Sequence, residues 1–331
     1  IKLAGNGVMA AFQTPKLHGY SVKFSPFSPT RFACVACEQY GISGSAALLV
    51  FEFPPDLSGP PVVVQNCRWS DGLFDLCWSE LDPDICVTAG GDGAIQVWNV
   101  LNKEPIAVLK NHEKEVYSVD WSHKGDKNLV LSSSWDSSCR VWDVPSGRSV
   151  PLVSFAHHSG VVYSGVWSPH VPGTFATTSA DGASRVWDLR EPLSPQSILP
   201  AHEGEVLSCD WSKYDANILV TGSVDCSLKV WDIRNPRSSL CLMRGHDYAV
   251  RRVRCSPFSR GIIASCSYDF TVRTWDYMRP QGFTPRMEVL SHHTEFVYGL
   301  DFSSFVPSLL ADCAWDESIR LYKPKSLLST D

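Results

Sequence analysis

Apolar and polar residues alternate in short runs along this chain, as in VYSVDW (116–121), VYSGVW (162–167) and VLSCDW (206–211). Related runs are GYSVKF (19–24), LFDLCW (73–78), VRRVRC (250–255) and VYGLDF (297–302). They are rich in β-branched and aromatic residues and are bounded by Ser, Gly, Asp and Pro clusters, which predicts short strands joined by turns. No stretch has a convincing amphipathic helical spacing.

A second frame follows each run. It reads GGDGAIQVWN (90–99), SWDSSCRVWD (134–143), SADGASRVWD (179–188), GSVDCSLKVWD (222–232), SYDFTVRTWD (267–276) and, worn down, AWDESIRLYK (314–323). Its key Asp falls at 92, 136, 181, 225, 269 and 316, with spacings of 44, 45, 44, 44 and 47. That is the blade length of a WD-repeat propeller. The fold predicted is all-β, a seven-bladed WD-repeat β-propeller over 14–323, with GYSVKF opening the seventh unit. Radial closure protects sheet edges that a lone blade would expose. Residues 1–13 form an N-terminal segment and 324–331 a C-terminal tail, and a strand near Ala10–Pro15 is expected to complete the last blade. Met9 is a candidate natural start, which would put residues 1–8 outside the native chain.

Four residues before each inner strand stands a His, at 112, 158, 202, 246 and 293, and four before the key Asp stands a hydroxyl: Thr88, Ser132, Thr177, Thr221 and Ser265. Together with the Trp these make expected structural tetrads: His112, Ser132, Asp136 and Trp142; His158, Thr177, Asp181 and Trp187; His202, Thr221, Asp225 and Trp231; His246, Ser265, Asp269 and Trp275. Such a chain of bonds satisfies buried polar groups and pins the turn to its neighbour. The second blade departs with Trp69 for His, the last with Asp312 and Tyr322 for hydroxyl and Trp, and the first has nearly lost the frame. The ends of the ring are therefore expected to be its weaker part. His, Ser and Asp also suggest a hydrolase triad, but a nucleophile must be exposed and set against an oxyanion site. A set repeated inside strands, with Trp consuming the hydroxyl, reads as structure, and no enzyme activity is expected.

The 331 residues are 44% hydrophobic with a net charge of −6, and basic residues form no run longer than Arg251-Arg252, so nucleic acid is not an expected partner. No apolar run approaches the ~18 residues that cross a bilayer, and no charged leader precedes one at the start, which reads as a soluble chain without a secretory signal or membrane insertion. The 12 cysteines are scattered singly and read as reduced packing residues. Cys34 and Cys37 make a lone Cys-x-x-Cys; without a second ligand pair neither zinc nor redox chemistry is expected, and no metal or cofactor is assigned.

The turn with the key Asp and the loop with the His open on the same end of the disc. Before the inner strands lie Asp71, Glu113, Glu115, Glu203, Glu205, Asp247 and Glu295, against Lys114; before the key Asp come Gly91, Trp135, Ala180, Val224, Tyr268 and Trp315. One reading is a solvated rim with incidental aromatics. The other is a site for a cationic, partly apolar ligand, with carboxylates selecting charge and aromatics anchoring. A short basic amphipathic helix fits that chemistry. The candidate binding set is Glu113, Glu115, Trp135, Glu203, Glu205, Asp247, Tyr268, Glu295 and Trp315.

Over about residues 14–323 the chain strongly resembles the family of peroxisomal receptors for the amino-terminal, type-two targeting signal, peroxins of the WD-repeat class. The resemblance rests on HGYSVKFSPF (18–27), YGISGS (40–45), DGLFD (71–75), AHEGEVLSCDWSKYDANILVTGSVDCSLKVWDIRN (201–235), RRVRCSPF (251–258), SCSYDFTVRTWD (265–276) and HHTEFVYGLDFS (292–303). It implies binding of a nonapeptide with a basic residue, an aliphatic one, five variable positions, His or Gln, and a small or aliphatic residue. It implies a cytosolic receptor that carries folded matrix enzymes to the peroxisome with an import co-receptor and docking machinery. A rival reading is a substrate adaptor of a cullin-type ubiquitin ligase, because WDLR (187–190) and WDIR (231–234) resemble a Trp-Asp-x-Arg docking box.

Overall fold

A computed structural model describes residues 8–54, 60–125, 128–280 and 284–328. Seven four-stranded antiparallel sheets form a WD-repeat β-propeller. The inner strands are His18–Phe24, Leu73–Trp78, Val116–Trp121, Val162–Trp167, Val206–Trp211, Val250–Cys255 and Val297–Phe302, and they number the blades one to seven. The last sheet is completed by Val8–Gln13, which pairs with Ser318–Tyr322, so the start of the chain closes the ring. Helical structure among the described residues is limited to three short 3-10 turns, and no helix is long and apolar enough to cross a membrane.

Several of the residues that end the inner strands, and the Asp before the last residue in three of them, join neighbouring blades. Trp78 Nε1 donates to Lys23 O at 3.1 Å, Trp167 Nε1 to Asp120 O at 3.2 Å and Trp211 Nε1 to Val166 O at 3.2 Å. In return Asp120 accepts from Trp167 N, Asp210 from Cys255 N and Asp301 from Phe24 N, at 2.8, 2.7 and 3.0 Å. Each strand end thus pairs polar groups across a blade boundary that burial would otherwise leave unsatisfied.

The first blade, which lacks a tetrad, has the longest ladder. Its strands His18–Phe24, Arg31–Cys37, Ala46–Glu52 and Val62–Trp69 are 7, 7, 7 and 8 residues long, against 3 to 6 in the described strands of the other blades. It packs directly on the last blade, in one core cluster joining Val22, Phe32, Cys34 and Phe51 to Leu309, Cys313 and Leu321.

Every inner strand carries a β-bulge near its start, at the second position in six blades and the third in the first, where the register with the next strand shifts by one. A bulged residue is left out of the ladder and its side chain is re-aimed. The seven residues so placed are Tyr20, Phe74, Tyr117, Tyr163, Leu207, Arg251 and Tyr298, and they converge at the axis.

Candidate functional site

In blades three to six the tetrads lie just beneath the end of the disc where the acidic loops open. His112 Nδ1 is 2.8 Å from Asp136 and its Nε2 is 2.7 Å from Ser132 Oγ, which accepts from Trp142 Nε1 at 2.8 Å. His158 meets Asp181 at 2.9 Å and Thr177 at 2.8 Å, with Trp187 on Thr177 at 2.8 Å. His202 meets Asp225 and Thr221, each at 2.8 Å, with Trp231 on Thr221 at 3.0 Å. His246 meets Asp269 at 2.8 Å and Ser265 at 2.7 Å, with Trp275 on Ser265 at 2.8 Å. A carboxylate only accepts, so Nδ1 carries the proton and Nε2 accepts from the hydroxyl. Burial pushes all four imidazoles below their ordinary pKa, which suits this neutral form. The hydroxyls of Ser132, Thr177, Thr221 and Ser265 are fully buried.

In the second blade the place of the His is shared. Gln96 sets its amide 2.7 Å from Thr88 Oγ1 and, in the orientation that satisfies both ends, accepts from Trp69 Nε1 at 3.3 Å. Trp98 completes the set on Thr88 at 2.8 Å. Trp69 therefore acts through Gln96, a partner the repeat frame does not reveal.

Above the tetrads the acidic residues divide by setting. Glu113, Glu203, Asp247 and Glu295 are exposed, and Glu115, Glu205 and Asp71 are half-buried. Glu115 neighbours Trp135, whose backbone N–H donates to the Glu115 backbone carbonyl at 3.0 Å; Trp135 is 36% exposed and lies 5.5 Å from the Tyr117 ring. Glu205 is held over the fourth blade by Tyr163, whose hydroxyl donates at 2.6 Å. Between them the rim is low, built of Gly160 and Ala180, where an added Cβ on Gly160 would come 3.0 Å from Ala180 Cβ. Asp71 turns inward to accept from Gly72 N at 2.6 Å, and Asp247 is 3.8 Å from the Arg273 guanidinium. Asp71 is therefore less available to a ligand than its spacing suggests, whereas the Asp247 side chain stays 82% exposed.

Tyr268 and Trp315 belong to one continuous aromatic surface. Tyr268 is 4.8 Å from Phe296 and 5.2 Å from Tyr298; Trp315 is 5.3 Å from Phe296 and stacks on Tyr298 at 4.7 Å. Tyr20 and Phe74 extend it to Tyr117 through contacts of 4.8, 5.2 and 5.2 Å. Tyr40 overhangs it from a left-handed turn, φ 57°, 5.2 Å from Trp315. At its centre the Arg251 guanidinium lies 4.9 Å from the Tyr117 ring and 5.0 Å from that of Tyr298, although they stand on different blades. Burial holds the Tyr268 hydroxyl up at about 12 and pushes those of Tyr20 and Tyr298 up further, so these tyrosines stay uncharged.

Below this layer Asp75 pairs with Arg252 at 3.0 Å and accepts from Ser21 Oγ at 2.7 Å and Val119 N at 3.3 Å. Burial opposes its ionisation, but Arg252 and Lys23 bring it down to about 2. The axis is thus plugged beneath the rim, and Glu115 stands over a packed floor rather than an open channel. A separate cavity of about 420 Å³ opens at the opposite end, with a floor that mixes Lys23 and Arg254 with Asp120, Asp210 and Asp301.

Cys34 and Cys37 do not face one another's partners. Cys37 Sγ bonds the Leu73 backbone at 3.2 Å, whereas Cys34 packs towards the last blade. Among the described residues, the group offering close metal-ligand atoms is His292, His293 and Asp312, and those atoms are already hydrogen-bonded to each other at 2.8 and 2.9 Å. In the two Trp-Asp-x-Arg words, Arg190 and Arg234 fold back on their own Asp188 and Asp232, each through Nε at 2.9 Å.

The WD domain, G-beta repeat model matches residues 103–143 and the EIPR1 beta-propeller model matches 146–275. The chain is 47% identical over 316 residues to the peroxisomal targeting signal 2 receptor of Mus musculus, covering 95% of this chain and 96% of that one. It is 30% identical over 210 residues to the receptor of the same name from Saccharomyces cerevisiae, 56% of this chain and 55% of that one. It is 41% identical over 147 residues to peroxisome biogenesis protein 7 of Arabidopsis thaliana, 43% of this chain and 45% of that one. With a relative this similar over nearly its whole length, the chain belongs to the peroxisomal targeting signal 2 receptor family.

Proposed function

We propose that the tetrad end of the disc binds the amino-terminal type-two signal of folded matrix enzymes and, with a co-receptor and the docking machinery, delivers them from cytosol to peroxisome. The observation that carries this is the half-buried Glu115 set beside the partly exposed Trp135 by a backbone bond, at the edge of a continuous aromatic floor. A basic amphipathic helix places residues seven apart on one face, so one face offers both a cation for Glu113, Glu115, Glu203 and Glu205 and aliphatic groups for the aromatics. Tyr268, Trp315, Asp247 and Glu295 extend that surface on the far side. The seats occupied by His, Ser and Asp hold buried hydroxyls, which favours recognition over chemical turnover.

A contact between a half-buried carboxylate and Arg contributes about 1.5 to 3 kcal/mol, against about 0 to 1 for a solvated pair. Titration of a fluorescent type-two nonapeptide should therefore show Glu115→Lys weakening binding at least about tenfold and the exposed Glu113→Lys less. Trp135→Ala should weaken it similarly without changing its salt dependence. Replacing the peptide's Arg by Glu should restore part of the affinity for Glu115→Lys alone. Unchanged binding by Glu115→Lys at low salt moves the site off this rim.

A further inference from the structure

Beneath the aromatic floor the axis encloses a cavity of about 10 Å³, the room of a single water or small ion. Ser118, Ser164 and Ser208, the third residues of three successive inner strands, line it together with Arg251, Arg252 and Lys23. These walls are rich in hydrogens to donate. Arg251 is only 2% exposed, and its Nε and Nη2 have no acceptor among the described residues. Arg252 Nε has none either, although Arg252 Nη1 reaches Asp75 at 3.0 Å. Ser118 Oγ accepts from Gly165 N at 3.4 Å and Ser208 Oγ from Val253 N at 3.1 Å, which leaves each hydroxyl its own hydrogen to give.

The charges around the cavity do not balance. Arg252 is paired with Asp75, and Arg254 Nε lies 3.5 Å from Asp301. Asp120, which accepts from Trp167 N, is the remaining carboxylate of the lining. Against it stand Lys23 and Arg251, neither of which has an ion pair among the described residues. The rings of Tyr117 and Tyr298 ease the burial of Arg251, but they supply neither a hydrogen-bond acceptor for its Nε and Nη2 nor a full opposite charge. A water would satisfy the N–H groups and leave that buried charge uncancelled, which is costly. We infer that the axial cavity binds one halide ion, held by Arg251, Arg252 and the hydroxyls of Ser118 and Ser208, which neutralises the centre of the ring. The size of the cavity shuts out sulfate and phosphate. Because the ligands come from blades three, five and six, they converge only when the ring is closed, so the ion binds the folded chain and stabilises it by mass action.

The test dialyses the full-length chain into sodium gluconate, whose anion is too large for the cavity, and melts it across a series of sodium chloride concentrations at constant ionic strength and pH. The melting temperature should rise and saturate, by about 3 °C at about ten times the half-saturating concentration. Sodium bromide should act in the same way, and crystals grown in it should show an anomalous peak within hydrogen-bond reach of Arg251 Nη2. Arg251→Met, which keeps the length of the side chain without its charge, should lose both the peak and the chloride-dependent rise. If that variant is poorly folded, Ser208→Ala carries the comparison and should move half-saturation at least about tenfold higher. A melting temperature that is flat in chloride or never saturates, a water in place of the bromide peak, or a peak without stabilisation, an adventitious ion only, would each overturn the inference. So would a chloride response that is unchanged in Ser208→Ala.

Discussion

In the fifth blade His202 stands between Asp225 and the hydroxyl of Thr221, whereas in the seventh His293 stands between Asp316, at 2.8 Å, and a second carboxylate, Asp312, at 2.9 Å. The exchange of a hydroxyl for a carboxylate reverses the proton chemistry. A hydroxyl donates to Nε2, so His202 needs one proton, and burial keeps it below its ordinary pKa. Two carboxylates accept at both nitrogens, so His293 must carry two. Burial works against that charge, but Asp312 and Asp316 raise the pKa of His293 to about 9. Asp312 also accepts from His292 and Tyr322, each at 2.8 Å; burial opposes its ionisation, but His293 and then His292 hold its carboxyl well below the usual range. One frame thus builds a neutral pin in the middle of the ring and an ionic one at its seam.

The largest effect is expected at the ionic pin. Asp312→Ala leaves His292, His293 and Tyr322 without their shared acceptor and should cost about 3 to 5 kcal/mol by urea denaturation. Asp312→Thr paired with Tyr322→Trp rebuilds the neutral set and should recover much of that loss. If Asp312→Ala and Asp312→Thr/Tyr322→Trp are equally unstable, the two pins do not differ in the way described.

At the neutral pin, Asp225→Ala removes the acceptor for His202 and for the Ser227 backbone, bonded at 3.0 Å. It should cost about 2 to 4 kcal/mol, and peptide affinity should fall only through unfolding. A variant that melts like the parent would remove the tetrad as a stabilising unit.

The smallest effect is on pH dependence, and its sign separates the two pins. His293 has a folded pKa above its unfolded value of about 6.5, so its contribution is complete below that pH and is lost as pH rises through about 9. The loss between pH 6.5 and 8.5 should be about 2 kcal/mol in the parent and absent in Asp312→Thr. His202 and its counterparts are shifted downwards, so their contribution is present above about 6.5 and is lost on acidification in both proteins. Melting curves from pH 5 to 9 for the two chains check both limbs.

The propeller and the four regular tetrads were legible because both are written as residue types at fixed spacing, and burial demands polar partners at that same spacing in every blade. Glu115 and Trp135 were legible as rim residues for the same reason. Gln96 was not, because it stands outside the repeated positions and enters only through its amide. The aromatic floor was present in the letters as Tyr20, Phe74, Tyr117, Tyr163 and Tyr298, the second residue of each run. In a regular strand those are ordinary alternating positions, and only the bulge re-aims them to the axis.

What the sequence by itself determined is the local and periodic part: strand, turn, blade length and the polar set each blade must satisfy. What the tertiary structure decided is which distant letters meet when the ring closes. Arg251 lies against Tyr117 and Tyr298, and Asp75 pairs with Arg252 across the axis. Those contacts depend on closure, which brings together residues far apart along the chain, and no periodicity in the sequence records that distance.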